Sequence, residues 1–134
     1  MKKKIVNVVH LIVYLVAVVM FFTMKGSIER ETNGIWGIQE GVSVIKEVMN
    51  APLYPVLLGV CWGIGLLMCL ISILGKSKKK DGKLHGILPI ITLIVTDFCL
   101  LGIFKAIPNF FIFNGLMLAI IVIGFVKGAN FIAE

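Results

Sequence analysis

Charged side chains make up only 15% of this 134-residue chain, against about 25% in ordinary soluble domains. Hydrophobic residues make up 59% of it. A single domain of this size has too little interior to hide so much apolar surface from water. The scarcity of charge therefore excludes a water-soluble monomer and predicts one integral membrane domain over residues 1–134.

Catalytic and metal-binding motifs are also lacking. The sequence shows no Ser-His-Asp set, no phosphate-binding loop and no pair of neighbouring carboxylates. The cysteines Cys61, Cys69 and Cys99 form no C-x-x-C pair and have no histidine at metal-ligand spacing, so they are interpreted as small packing residues. We therefore expect no enzyme, no cofactor and no metal.

Four long apolar runs account for most of the chain, at residues 5–24, 53–75, 84–104 and 110–126. About 20 residues of helix cross the roughly 30 Å of bilayer hydrocarbon, whereas an open sheet in lipid would leave backbone groups unpaired. The first run is too long for a cleaved signal peptide, so it is predicted to be an uncleaved signal anchor. The sequence thus predicts an all-α integral membrane protein, a four-transmembrane-helix bundle.

The distribution of lysine predicts the topology. Residues 2–4 and the loop at residues 76–83 carry a net charge of +7, whereas residues 25–50 carry −1. The positive-inside rule places both termini and the lysine loop in the cytoplasm. Lysine outnumbers arginine twelve to one, a bias that is typical of AT-rich bacterial genomes, so a bacterial plasma membrane is expected. No folded basic domain exists that would bind nucleic acid.

Residues 25–51 form the only sizeable segment outside the apolar runs. Apolar residues recur at helical spacing between Gly34 and Asn50, which predicts an extracytoplasmic, interfacial amphipathic helix. Trp36 would anchor this helix among the headgroups, and Glu40 and Glu47 would lie on its polar face. The helix would either cover the end of the bundle or act as a gate or docking surface for a partner.

Asp97 is the one acidic residue inside a predicted span. Insertion of a carboxylate near mid-helix costs about 2.5–3.5 kcal/mol, so such a residue is retained when it is paired, protonated or functional. Folding the last two spans into a hairpin brings Asn114 to its level, and Thr96 is adjacent. Three roles remain open: a proton or cation site, a hydrogen-bonded lock of this helix pair, and pairing with a basic residue of another subunit.

Small and polar residues in the other spans give further predictions. Gly59 and Gly63 have the G-x-x-x-G spacing that permits close helix packing. His10 and Asn7 lie near the end of the first span and are expected at the membrane interface. His85 adjoins the lysine loop and is expected to be solvated.

Two functions from different classes are compatible with these features. The first is a small accessory, immunity or assembly subunit that binds another membrane protein. The second is a homo-oligomeric transporter or channel that uses Asp97, since four helices alone enclose little of a pathway. The expected partners are the lipid bilayer and either another membrane protein or a second copy of this chain.

Overall fold

The computed structural model describes residues 2–75 and 82–133, so the predicted lysine loop at 76–83 lies mostly outside the described residues. The described chain is mainly helical, with one small sheet. Its elements, in order, are α1 (Lys2–Thr23), β1 (Lys25–Thr32), β2 (Ile35–Ser43), α2 (Val44–Asn50), α3 (Tyr54–Ile73), α4 (Leu84–Ile103) and α5 (Phe110–Ala133).

Four of the helices, α1, α3, α4 and α5, are long and apolar enough to cross a membrane. They correspond to the four predicted spans, and most of their ends agree with the prediction to within a few residues. The exception is α5, which continues to Ala133, whereas the prediction ended at residue 126. The apolar run stops at Lys127, but the helix does not, since lysine is a good helix former, and this side chain is buried inside the bundle.

The four long helices pack in a ring, in which α1 contacts α3, α3 contacts α4, α4 contacts α5, and α5 contacts α1. Helices α1 and α4 end, and α3 and α5 begin, at the end of the bundle that carries the two strands. We call this the hairpin end. The opposite end, where Lys4 and Lys83 lie, is called the lysine end.

Large side chains fill the centre of this ring. Phe113 is fully buried and lies against Phe21 and Trp62, with ring centroids 6.0 and 6.2 Å away. Tyr14 is also buried and meets Trp62 edge to face. Aromatic pairs of this kind add stability beyond the apolar area that they bury. The middle of the bundle is therefore a packed core.

The segment predicted as an amphipathic helix over Gly34–Asn50 is mostly a β-hairpin, and that prediction was wrong. Only Val44–Asn50 is helical. Asn33 and Gly34 form a two-residue turn with φ of 55° and 82°, the left-handed conformation that Asn-Gly adopts most readily in tight hairpins. This turn brings β2 back along β1 in antiparallel register, with Thr32 opposite Ile35.

The base of the hairpin is fixed to the helices by backbone hydrogen bonds. Ser27 N–H donates to Ala106 O at 2.7 Å, and Lys105 N–H donates to Ser27 O at 2.8 Å. A Cβ atom at Gly26 would lie 2.6 Å from the Phe104 ring, so the strand approaches the α4–α5 connection closely. An isolated two-stranded hairpin is marginally stable, so these contacts are what hold it.

Candidate functional site

Asp97 lies in the hairpin half of α4, about 20 Å along the helix from Leu84. Its Oδ1 atom is buried and has no hydrogen-bond partner within the described residues. The Asn114 side chain on α5 lies near the carboxyl group, and Asn114 Nδ2 donates to Phe110 O at 2.8 Å. The structure thus brings Asp97 and Asn114 together across the α4–α5 pair.

Thr96 is turned towards a different helix. It is fully buried, and its hydroxyl accepts a hydrogen bond of 3.2 Å from the indole Nε1 of Trp62 on α3. Thr96 therefore joins α4 to α3, whereas its neighbour Asp97 joins α4 to α5. The predicted polar set is divided between two helix interfaces.

The polar residues at the lysine end are buried, contrary to expectation. Asn7, His10 and His85 were predicted to be interfacial or solvated, but each lies inside the bundle at 5% exposure or less. His10 Nε2 is 3.1 Å from Ile120 O, so this nitrogen carries the proton that it donates. Its Nδ1 faces Cys69 Sγ at 3.5 Å, and Asn7 Nδ2 donates to Ser72 O at 3.2 Å.

Lys127 on α5 is a buried residue that the sequence reasoning missed. Its side chain is 0% exposed, and its Nζ has no hydrogen-bond partner within the described residues. A basic residue inside an otherwise apolar helix was the available signal. That signal is weak in the sequence, because a lysine that follows an apolar run is also typical of the end of a membrane span.

Gly59 and Gly63 do not form a packing face with any of the residues that the structure describes. Both are exposed on α3, and a Cβ atom at either would meet nothing within 4 Å. The close helix contact is elsewhere: Cβ atoms at Gly124 and Gly128 would overlap the backbone carbonyls of His85 and Gly82. Among the described residues, the G-x-x-x-G spacing that makes a close contact is therefore the one at positions 124 and 128, which packs α5 against the start of α4 and the residue Gly82 before it.

The residues predicted for an amphipathic helix are instead displayed by the hairpin. Trp36 and Glu40 lie in β2, and both are exposed. Trp36 lies opposite Glu31, and Ile38 lies opposite Glu29 in the register. Directly opposed residues project from the same side of a sheet, so these four share one face, which we call the Trp36 face.

Glu47 lies in α2 and has a structural contact. Arg30 Nη2 on β1 donates to Glu47 Oε1 at 2.9 Å, and Arg30 Nη1 donates to Gln39 Oε1 at 3.1 Å. Arg30 thus ties the hairpin to α2. Glu47 is accordingly less available to a partner than the sequence suggested.

Comparison with family models, curated proteins and solved structures found no match for this chain. Its class is therefore defined by the fold alone. Four long apolar helices in a closed ring, with a hairpin at one end, define a multi-pass membrane protein.

Proposed function

We propose that this protein is an accessory, immunity or assembly subunit that binds another membrane protein through the Trp36 face of its hairpin. In this proposal, both termini and the lysine end are cytoplasmic, because the lysines lie there. The hairpin is then extracytoplasmic. There it can contact the part of a partner protein that extends from the membrane on the same side.

The observation that carries this proposal is the exposure of apolar side chains near the hairpin turn. Trp36 and Ile38 of the Trp36 face are 65% and 62% exposed, although they lie outside the four long helices. Aromatic and aliphatic groups presented in this way are typical of interaction surfaces, and tryptophan is enriched among residues that dominate binding energy. The hairpin has a fixed base, so little of this surface must become ordered when a partner binds.

The acidic residues around the Trp36 face indicate what the complementary surface of a partner must carry. Glu29 and Glu31 flank the apolar side chains of the Trp36 face, and the exposed Glu40 follows two residues after Ile38. Glu29 is paired with Lys105 Nζ at 3.0 Å, which leaves Glu31 and Glu40 as its freer carboxylates. The complementary surface is apolar at its centre with basic residues at its rim.

The packed centre of the bundle supports binding rather than conduction by a single chain. Between the level of Asp97 and that of His10, the described interior is occupied by Tyr14, Phe113 and Met117, each at most 1% exposed. A pathway for ions needs polar or hydrated lining along its length.

The test is capture of the partner by tagged protein that is extracted gently from its own membrane, read by native mass spectrometry. Trp36→Ala should lower the stoichiometry of the captured protein at least about tenfold, because an aromatic anchor typically contributes 2 kcal/mol or more. Glu31→Lys with Glu40→Lys should weaken capture and make it less sensitive to salt. Phe98→Ala is the matched control, since Phe98 is a similarly exposed aromatic residue on α4. Undiminished capture by Trp36→Ala would refute the hairpin as the docking surface.

A second candidate function, transport by a homo-oligomer, is favoured by one observation. The buried and unpartnered Oδ1 of Asp97 is what a proton or cation site inside the membrane would need. Under this alternative, the protein would extract as a homo-oligomer with no other subunit, and any flux would require the carboxyl group.

Asp97→Asn separates the two candidates. If Asp97 only locks α4 to α5, the nearly isosteric amide keeps a hydrogen bond to Asn114, and both the Tm in detergent and partner capture should stay unchanged. Asp97→Leu should lower stability by about 1 kcal/mol, the usual contribution of an interhelical hydrogen bond in membranes. An Asp97→Asn variant with normal Tm and abolished proton-coupled flux would instead establish transport.

A further inference from the structure

An apolar groove lies between α1 and α3, in the half of the bundle nearer the hairpin. It has a volume of about 230 Å³, and its lining residues fall within residues 18–22 of α1, 45–49 of α2 and 55–66 of α3. All of the lining residues are apolar, and the indole N–H of Trp62 is already donated to Thr96. Because no lining side chain has a hydrogen-bonding group to spare, the groove suits a hydrocarbon ligand.

The groove has the length of one bilayer leaflet. Its lining extends from Pro55 to Leu66 along α3, a distance of about 16 Å at roughly 1.5 Å per residue. The hydrocarbon of a bilayer is about 30 Å thick, so each leaflet contributes about 15 Å. Both α1 and α3 are long and apolar enough to cross that thickness. A lipid chain of the leaflet at the hairpin end can therefore lie along the whole groove.

Helix α2 closes the groove at the hairpin end. It packs against α1, α3 and α4, and its Ile45, Val48 and Met49 side chains complete the lining. A transmembrane helix of another protein is about 10 Å across and would have to continue past α2 to leave the membrane. An acyl chain is thinner than a helix and begins at its headgroup, so it does not have to pass this obstacle. The position of α2 thus favours a lipid chain over a partner's helix.

Lys46 places a positive charge at the rim of the groove. It is exposed on α2, and it precedes the groove residue Met49 by three positions, so the two are neighbours on the surface of the helix. The adjacent Glu47 is engaged elsewhere, because its carboxylate is paired with Arg30 at 2.9 Å. The ammonium group of lysine binds phosphate as a compact point charge. We therefore expect an anionic headgroup at this end of the groove.

We propose that the groove between α1, α2 and α3 binds one acyl chain of an anionic phospholipid, with the headgroup phosphate at Lys46. The chain would cover Leu58 and Trp62, which join the groove to the core of the bundle. This lipid site does not depend on hairpin docking, because the Trp36 face lies on the strands and contributes no residue to the groove.

The experiment uses Trp62 as a reporter, since it lines the groove and is the sole tryptophan in a Trp36→Phe background. The full chain in this background is reconstituted into phosphatidylcholine vesicles that contain either phosphatidylglycerol or phosphatidylcholine with brominated acyl chains. Bromine quenches tryptophan fluorescence at short range. Half-maximal quenching should need about fivefold less brominated phosphatidylglycerol than brominated phosphatidylcholine, the factor by which one lysine near a membrane surface attracts an anionic lipid.

Gly59→Leu and Gly63→Leu form a matched pair that tests the groove. Both glycines are exposed on α3, and a Cβ atom at either meets nothing within 4 Å, but only Gly59 lines the groove. Leucine favours helix over glycine at both positions, so both variants should fold, which their Tm in detergent checks. Gly59→Leu should fill the groove and abolish the preference for phosphatidylglycerol, whereas Gly63→Leu should retain it.

Lys46→Gln and Lys83→Gln test the headgroup contact, because they remove exposed lysines from opposite ends of the bundle. Lys46→Gln should make the two brominated lipids quench Trp62 equally, while Lys83→Gln should keep the preference. Equal quenching by both lipids before any further substitution, or an unchanged preference in Gly59→Leu, would overturn the proposal. Quenching by neither lipid until the protein is diluted among lipid would also overturn it, because a second copy of the chain would then cover the groove.

Discussion

Replacing Gly124 with alanine is expected to separate α4 from α5 at the lysine end. It should destabilise the bundle much more than the same substitution at Gly63. The new Cβ atom would overlap the backbone carbonyl of His85, and a backbone group cannot rotate out of the way as a side chain can. The two helices must then move apart, which removes contacts along their interface. We expect a loss of about 3 kcal/mol, at the upper end of the usual range for overpacking, and a fall in Tm of about 10 °C.

The control for this prediction is Gly63→Ala. Position 63 is also a helical glycine in a G-x-x-x-G pattern, but a Cβ atom there meets nothing within 4 Å. Alanine favours helix over glycine by up to about 1 kcal/mol, so this variant should melt at the wild-type temperature or slightly above it. Thermal unfolding in detergent compares the two variants directly. Equal Tm values would contradict the close α4–α5 contact.

Phe113→Ala is expected to give the second large loss of stability. Phe113 is 0% exposed and contacts the rings of Phe21 and Trp62, so its removal leaves a cavity at the centre of the ring of helices. In soluble cores this change costs about 3–5 kcal/mol, part of which is the transfer of the ring from water. Lipid is as apolar as the core, so only the lost packing counts here, and we expect about 2–3 kcal/mol.

Phe111→Ala is the matched control for Phe113→Ala. Phe111 is two residues away on the same helix and is 86% exposed, so it faces lipid and its truncation should change stability by less than about 0.5 kcal/mol. Unfolding in mixed micelles with added SDS can be followed by fluorescence in a Trp36→Phe background, which leaves Trp62 as the sole tryptophan. Since Trp62 contacts Phe113, it reports on the core itself. Similar losses in both variants would contradict the predicted packing.

The same two phenylalanines show where sequence reasoning about the spans stops. Hydropathy treats Phe111 and Phe113 alike, because either side chain is soluble in hydrocarbon. Sequence could therefore predict that residues 110–126 are helical within the membrane, but not which side faces the other helices. In soluble proteins the polar face reveals this orientation, and here the lipid-facing side is as apolar as the core.

The prediction of a helix where the structure has a hairpin is an error that the sequence itself could have prevented. Apolar residues between Gly34 and Asn50 fit a helical period, and the helix prediction depended on that period alone, without the turn signal of Asn33-Gly34. Two left-handed residues reverse the chain at that point, and the strands then gain their hydrogen bonds from each other. A local turn signal should have outweighed a periodicity that includes three glycines.

The sequence by itself determined that this is a membrane protein with four long helices, since chain length and bilayer thickness fix the spans. It also singled out Asp97 and, from helix geometry, its neighbour Asn114. Only the tertiary structure decided that Lys127 and His10 are enclosed together, and that Gly124 rather than Gly63 joins two helices. These facts depend on the rotation of each helix about its own axis. That rotation is set by the steric fit among four helices whose surfaces are nearly uniform in hydrophobicity. The sequence of one helix alone does not encode this fit.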